Sequence, residues 1–309
     1  LGVSSCLMAA FKAYSIWVSR ERLPLINGFH MAVGGLGALS GTVPVEAALS
    51  YTDWRGVFLF LGSLTVLASA VIFIIVPKRN ESEIKETSGG MKSQLNGVIT
   101  VFTSPMFWWV APFTVASQAA FLATQSLWAG PWLHDVGGLE RDQVASHLLL
   151  VAASMVAGFA SSGVITDRLR RFGIKPLSIA VAGISIFIIV QCLITFRLVD
   201  AALPLWMMFG FFGTTGILPY AALSQKFPLH LSGRVTTGLN LLVFVSAFAT
   251  QWATGAIIGL WPKTAVGGYD PAGYQAAFGV IIGFQVLGLL WLIVFGKGRR
   301  EFAIAQQDI

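Results

Sequence analysis

Charge is what this chain has least of. Asp, Glu, Lys and Arg make up 11% of its 309 residues, against about 25% in a soluble globular domain. A water-facing surface cannot be built from so few charges, which excludes an ordinary cytosolic enzyme, a disordered protein, a collagen and a coiled coil. Cysteine is nearly absent. Cys6 and Cys192 both lie in apolar runs, so at most one disulfide is possible and both read as packing residues. No His/Cys cluster has zinc spacing. G-x-S-x-G, H-E-x-x-H and P-loop patterns are also missing, which leaves an intramembrane hydrolase or an ATP-driven pump without support. The chain is not expected to be an enzyme, to need a cofactor or metal, or to bind nucleic acid.

What is present is apolar. Hydrophobic residues make up 55% of the chain, mean hydropathy is +0.75, and there are 33 glycines and 10 tryptophans. Glycine lets helices approach closely in lipid and tryptophan settles at membrane interfaces. A spanning helix needs about 20 mostly apolar residues, and nine such runs follow one another: 1–19, 24–49, 54–76, 105–130, 144–166, 176–197, 203–225, 235–260 and 274–296. β-barrel strands would be shorter and alternating, so the expected fold class is an all-α polytopic membrane protein. The one long polar stretch, 77–104, separates three runs from six and reads as a linker, with an amphipathic surface helix between Met91 and Phe102. The expected organisation is therefore 1–76, remainder of a first bundle; 77–104, cytoplasmic linker; and 105–309, a six-helix bundle. Placing the 20–22 loop in the cytoplasm and alternating leaves Arg55, Arg141, Arg197 and Lys263 outside and Lys12 within a span. The other fifteen of the 20 basic residues fall inside, as the positive-inside rule requires. The bilayer meant is a plasma or bacterial inner membrane.

Several motifs carry a family resemblance. Gly163-Val-Ile-Thr-Asp167-Arg168-Leu-Arg170-Arg171 resembles the loop signature G-x-x-x-D-R-x-G-R-R of the major facilitator superfamily, with Leu169-Arg170 where a glycine is common. The run from Gly34 through Gly41 to Pro44 resembles the glycine-proline motif of that family's fifth helix in a changed order, and Trp54-Arg55 resembles the pair that often opens the sixth. The family has twelve helices in two six-helix halves joined by a long cytoplasmic loop, so the chain resembles helices four to twelve. It starts at Leu1, inside an apolar run, and the expectation is that three further helices precede it. The resemblance implies secondary active transport of a small solute by alternating access between two rocking bundles. A proton gradient is the driving force first expected. Asp167, Arg168 and Arg171 become gating residues through charge pairs and helix-end dipoles; the alternative is that the basic ones serve topology alone.

Polar side chains inside the spans are the candidate solute contacts. Lys12 costs at least about 2.5–3.5 kcal/mol at mid-membrane depth. Ser5, Ser15 and Ser19 lie near it along one helix, consistent with a water-filled cavity. It binds an anionic group or changes protonation in one reading; it snorkels or pairs with an acid in the other. Thr114, Gln118, Phe121, Gln125 and Trp128 recur at spacings of 3 and 4 and share one helix face, as do Thr237, Asn240, Phe244, Ala247 and Gln251. Tyr220 follows Pro219, a break in backbone pairing. The expected solute-binding set is Lys12, Gln118, Gln125, Trp128, Tyr220, Asn240 and Gln251, against the alternative of interhelical hydrogen bonding. Glu46, His30, His134 and His147 read as structural or solvated. The competing function is a non-transporting, transporter-like sensor or an inactive truncated fragment.

Overall fold

The computed structural model describes residues 6–19, 21–40, 45, 48–49, 51–75, 91–196, 201–264 and 267–305. Ten helical elements organise them: α1 (Cys6–Trp17), α2 (Leu23–Ser40), α3 (Trp54–Ile75), α4 (Met91–Thr103), α5 (Pro105–Asp135), α6 (Arg141–Arg170), α7 (Pro176–Thr195), α8 (Ala202–Ser224), α9 (Leu229–Ile258) and α10 (Pro271–Ala305). Among the described residues there is no strand. Seven of these helices are long and apolar enough to cross a bilayer: α3, α5, α6, α7, α8, α9 and α10. The runs expected at 1–19 and 24–49 appear as α1 and α2, 12 and 18 residues long, and the rest of each run lies partly outside the described residues. A helix is present where the amphipathic segment from Met91 is expected, α4, with Leu95, Val98 and Ile99 exposed and Val101 fully buried.

Helix starts follow local chemistry. Ser104 accepts the Met106 N–H and Pro105 opens α5, where a missing N–H costs nothing. Glu140 and Gln143 form a reciprocal capping box at α6. Asp53 accepts the Gly56 N–H at α3, and Arg55 lies 4.4 Å over the Trp54 ring. Asp270 accepts the Ala272 N–H at α10.

Helix association in lipid relies on close packing of small residues rather than on apolar burial alone. α2 packs along α6, where a Cβ on Gly28 would stand 2.7 Å from the Phe159 carbonyl and one on Gly35 would stand 2.8 Å from Val156. α6 meets α8 in the same way, Gly158 against Phe211 and Gly210 against Val151. An aromatic core ties α5, α7 and α8 together. Phe209 packs on Phe121, Phe187 and Trp206, and Trp206 packs on Trp132, with ring centroids 5.0–5.7 Å apart. Buried Gln191 of α7 and Gln285 of α10 exchange two amide hydrogen bonds of 3.0 and 3.1 Å. α3 differs from the rest and has no buried residue.

Two departures from regular helix matter for the site. Residues Thr124–Trp128 of α5 form a π-helical turn, a widening that rotates everything beyond it relative to a plain 3.6-residue repeat. Thr214–Ile217 of α8 is 3-10 helix, ending two residues before Pro219, so a break lies beside that proline. A third irregularity is compensated. Pro112 inside α5 supplies no N–H to the Trp108 carbonyl four residues back, and the Trp291 indole N–H of α10 donates to that carbonyl at 2.8 Å.

Candidate functional site

The helix ends that carry the basic loops meet in one place. Glu21, in the turn between α1 and α2, pairs with Arg170 at the end of α6 at 3.4 Å. Asp167 pairs with Arg171 one turn on along the same helix at 3.2 Å, so the acid expected to find a partner has one, on its own element. Arg168 is exposed. Just inside this charged rim, Phe11 of α1 and Leu23 and Asn27 of α2 close against Tyr220 and Ser224 of α8 and Thr236 of α9. Tyr14 and His30 share a hydrogen bond of 2.8 Å that joins α1 to α2. Two short elements from before the linker are thus held against three helices from after it, at the basic end.

The candidate solute contacts divide by depth. Gln118 donates to the Gly213 carbonyl at 3.1 Å, where the 3-10 turn of α8 begins, and its amide lies against Gly216. Tyr220 and Asn240 approach each other at 3.5 Å, joining α8 to α9. Trp128 donates to the Gln251 carbonyl at 3.3 Å and Gln251 donates to Ser126 at 2.8 Å, joining α9 to the π turn of α5. Asn240 and Gln251 are eleven residues apart on α9, about 16 Å along its axis, so these pairs occupy two levels rather than one pocket. Gln125, half-buried in the π turn, makes no hydrogen bond among the described residues. Its neighbour Thr124 is buried, and its hydroxyl has no partner among the described residues. Phe244 is 55% exposed, while Ala247 on the same proposed face is buried. Lys12 lies on α1; its side chain is outside the described set, as are Ser5, Ser15 and Glu46.

A separate, apolar cavity does not contain these residues. A crevice of about 660 Å³ lies between α5, α9 and α10, floored by Ala116, Ala119, Ala249 and Ala253 and walled by Phe284 and Trp291. Its lining is nearly all hydrocarbon.

Several residues that organise the ends stand out in three dimensions and not in sequence. Asp135, at the end of α5, has a side chain only 7% exposed. It accepts from the Tyr274 hydroxyl at 2.7 Å and the Tyr269 N–H at 3.1 Å, and lies 2.8 Å from His134 Nδ1. Trp128, Tyr269 and Tyr274 form a triangle of edge-on rings beside it, with centroids 6.3–6.4 Å apart. This clasp fastens α5 to the loop before α10 at the end opposite the basic loops. Its only sequence signal was the adjacency of His134 and Asp135 at a helix end. Glu21 had a signal too: an acid between Arg20 and Arg22, facing the basic stretch 168–171.

Among the described residues no group of three His, Cys, Asp or Glu side chains is placed to hold a metal ion. No curated protein matches the chain. The sequence profile described as Major Facilitator Superfamily matches residues 1–251, which spans α1 to most of α9, and the chain therefore belongs to the major facilitator superfamily, a multi-pass membrane transporter family of helical bundles.

Proposed function

We propose that the chain is a secondary active transporter that moves a small solute across a plasma or bacterial inner membrane by alternating access, with a proton gradient as the driving force. The observation that carries this is the seal at the basic end. There Glu21 meets Arg170, and Phe11, Leu23 and Asn27 meet Tyr220, Ser224 and Thr236. An exposed ion pair contributes about 0–1 kcal/mol, so a seal with this rim opens readily, as rocking between two states demands. In this reading the basic end is cytoplasmic and the seal holds that side shut. The arginines and Asp167 at the end of α6 act as gating residues. Gln125, without a partner in the π turn, and Lys12 on α1 are the side chains that meet the solute. Gln118, Trp128, Tyr220, Asn240 and Gln251 bind helix to helix in the closed state and become solute contacts as the halves move.

The test begins with a thermal-stability screen of purified protein against organic anions, amino acids, sugars and amphiphilic cations, since a bound solute stabilises by mass action. The solute found is then assayed in liposomes. In a Cys6→Ser/Cys192→Ser background, Glu21→Cys/Arg170→Cys joined by a short bifunctional maleimide should arrest uptake, and each single cysteine should not. Collapse of the proton gradient should slow uptake in the uncross-linked protein. Full uptake by the cross-linked protein would overturn alternating access through this seal.

A further inference from the structure

Asn27 of α2 is 7% exposed, and its Oδ1 has no hydrogen-bond partner among the described residues. An orphaned buried acceptor carries the full penalty of its lost hydration, so the fold must offer it something. The atom belongs to a residue lining a small pocket inside the basic-end seal, between Phe11 of α1, Asn27 of α2, Tyr220 and Ser224 of α8, and Thr236 of α9. The hydroxyl protons of those last three residues are already committed. Ser224 donates to the Ala221 carbonyl at 3.1 Å, Thr236 to the Ser232 and Gly233 carbonyls at 3.2 and 3.0 Å, and Tyr220 points its proton at Asn240 at 3.5 Å. Each of those oxygens keeps lone pairs with which to accept, and each belongs to a residue that lines the pocket. A cavity that offers acceptors in this way calls for an occupant with two protons to give.

Size narrows the occupant. The pocket holds about 20 Å³ for the centre of a water-sized sphere, and one water needs roughly 10–15 Å³ by that measure and two to four polar partners. It is too small for an amine or a solute. Among the described residues no carboxylate lines it to balance a bare cation, which would be costly to bury unpaired. We propose that this pocket binds a single water molecule, donating to Asn27 Oδ1 and to a hydroxyl oxygen of α8 or α9, and that this water ties the α1–α2 hairpin to the α8–α9 pair when the basic end is closed. The inference rests on the transporter reading above and deepens it, because the bridge spans the two parts that must separate. Opening the seal exchanges the water's bonds for bonds to bulk water, so the bridge orients the closed state without locking it.

X-ray radiolytic hydroxyl labelling tests the water directly, because radicals form from bound water beside the residue they modify. The Glu21→Cys/Arg170→Cys protein is held closed by the maleimide cross-link, so bulk water does not reach the pocket. Phe11 and Tyr220, at 5% and 3% exposure, should then label at least about fivefold faster than the buried references Phe113 and Phe187, each 1% exposed and neither lining the pocket. Asn27→Leu, which removes the acceptor and fills the pocket, should bring their labelling down to the reference rate. Asn27→Ser keeps an acceptor and should retain it, which controls for misfolding. Labelling of Phe11 and Tyr220 at the reference rate in the Asn27 protein would overturn the proposal, as would labelling unchanged by Asn27→Leu. Thermal stabilisation by sodium over choline, present in the Asn27 protein and lost in the Asn27→Leu variant, would also overturn it by identifying a cation instead. The labelling does not depend on transport. Dry labelling with intact uptake therefore removes the water alone, and absent uptake with wet labelling removes the transporter reading alone.

Discussion

Replacing Asp135 with alanine should loosen the end of the molecule opposite the basic loops. The carboxylate is 7% exposed on its side chain and accepts from Tyr274 and Tyr269 at 2.7 and 3.1 Å. Hydrogen bonds to a charged group contribute about 1.5–3 kcal/mol each. Only the Tyr274 bond counts in full. Tyr274 is 1% exposed and its hydroxyl has nowhere else to turn, whereas Tyr269 and His134 are open enough to find water. The expected loss is therefore about 2–3 kcal/mol. At about 2–4 °C per kcal/mol, the scale for domains of 150–250 residues, the apparent Tm should fall by about 4–12 °C. The assay is thermal unfolding in detergent at one fixed scan rate, since such unfolding is irreversible. Asp135→Asn keeps an acceptor and should lose about half as much. Tyr274→Phe should match Asp135→Ala, and the double substitution should cost little more than either, because both remove the same bond. Additive losses, or an Asp135→Ala protein within about 1 °C of the parent, would refute the clasp.

Three further outcomes follow from buried contacts. Gln191→Leu should lower the apparent Tm more than Gln191→Leu combined with Gln285→Leu, because the single change strands a buried amide and the pair does not; a double variant less stable than either single would contradict this. Trp291→Phe should cost about 1 kcal/mol by freeing the Trp108 carbonyl, and the loss should largely vanish in a Pro112→Ala background, where an α5 N–H can reach that carbonyl. Gly28→Leu should reduce the yield of folded protein severalfold by forcing α2 from the α6 backbone, while Gly34→Leu, with open space around its Cα, should not; equal yields would remove the close-packing account of that interface.

The spans were legible because lipid leaves the backbone only one economical solution, and runs of about 20 apolar residues announce it. The helix from Met91 and the break near Pro219 were legible for similar reasons: polar Lys92, Gln94 and Asn96 beside apolar Leu95, Val98 and Ile99, and an imide that cannot donate. The Asp167–Arg171 pair could be read from i,i+4 spacing alone. The partners of Asp135 could not, since Tyr269 and Tyr274 are 134 and 139 residues away. Gln191 and Gln285, 94 residues apart, each look like one polar residue in an oily run. The π turn of α5 also leaves no mark in Thr-Gln-Ser-Leu-Trp. A plain helical wheel therefore puts Gln125 and Trp128 in line with Gln118, whereas Gln118 binds α8 and Trp128 binds α9.

The most direct measurement is a distance distribution between spin labels at positions 21 and 170, taken in liposomes without and with the solute identified by stability screening. Alternating access through the basic-end seal predicts a short population set by the Glu21–Arg170 contact and a longer one, with solute or an imposed proton gradient shifting their ratio. A single short distance, unchanged by a solute the protein demonstrably carries, would contradict it.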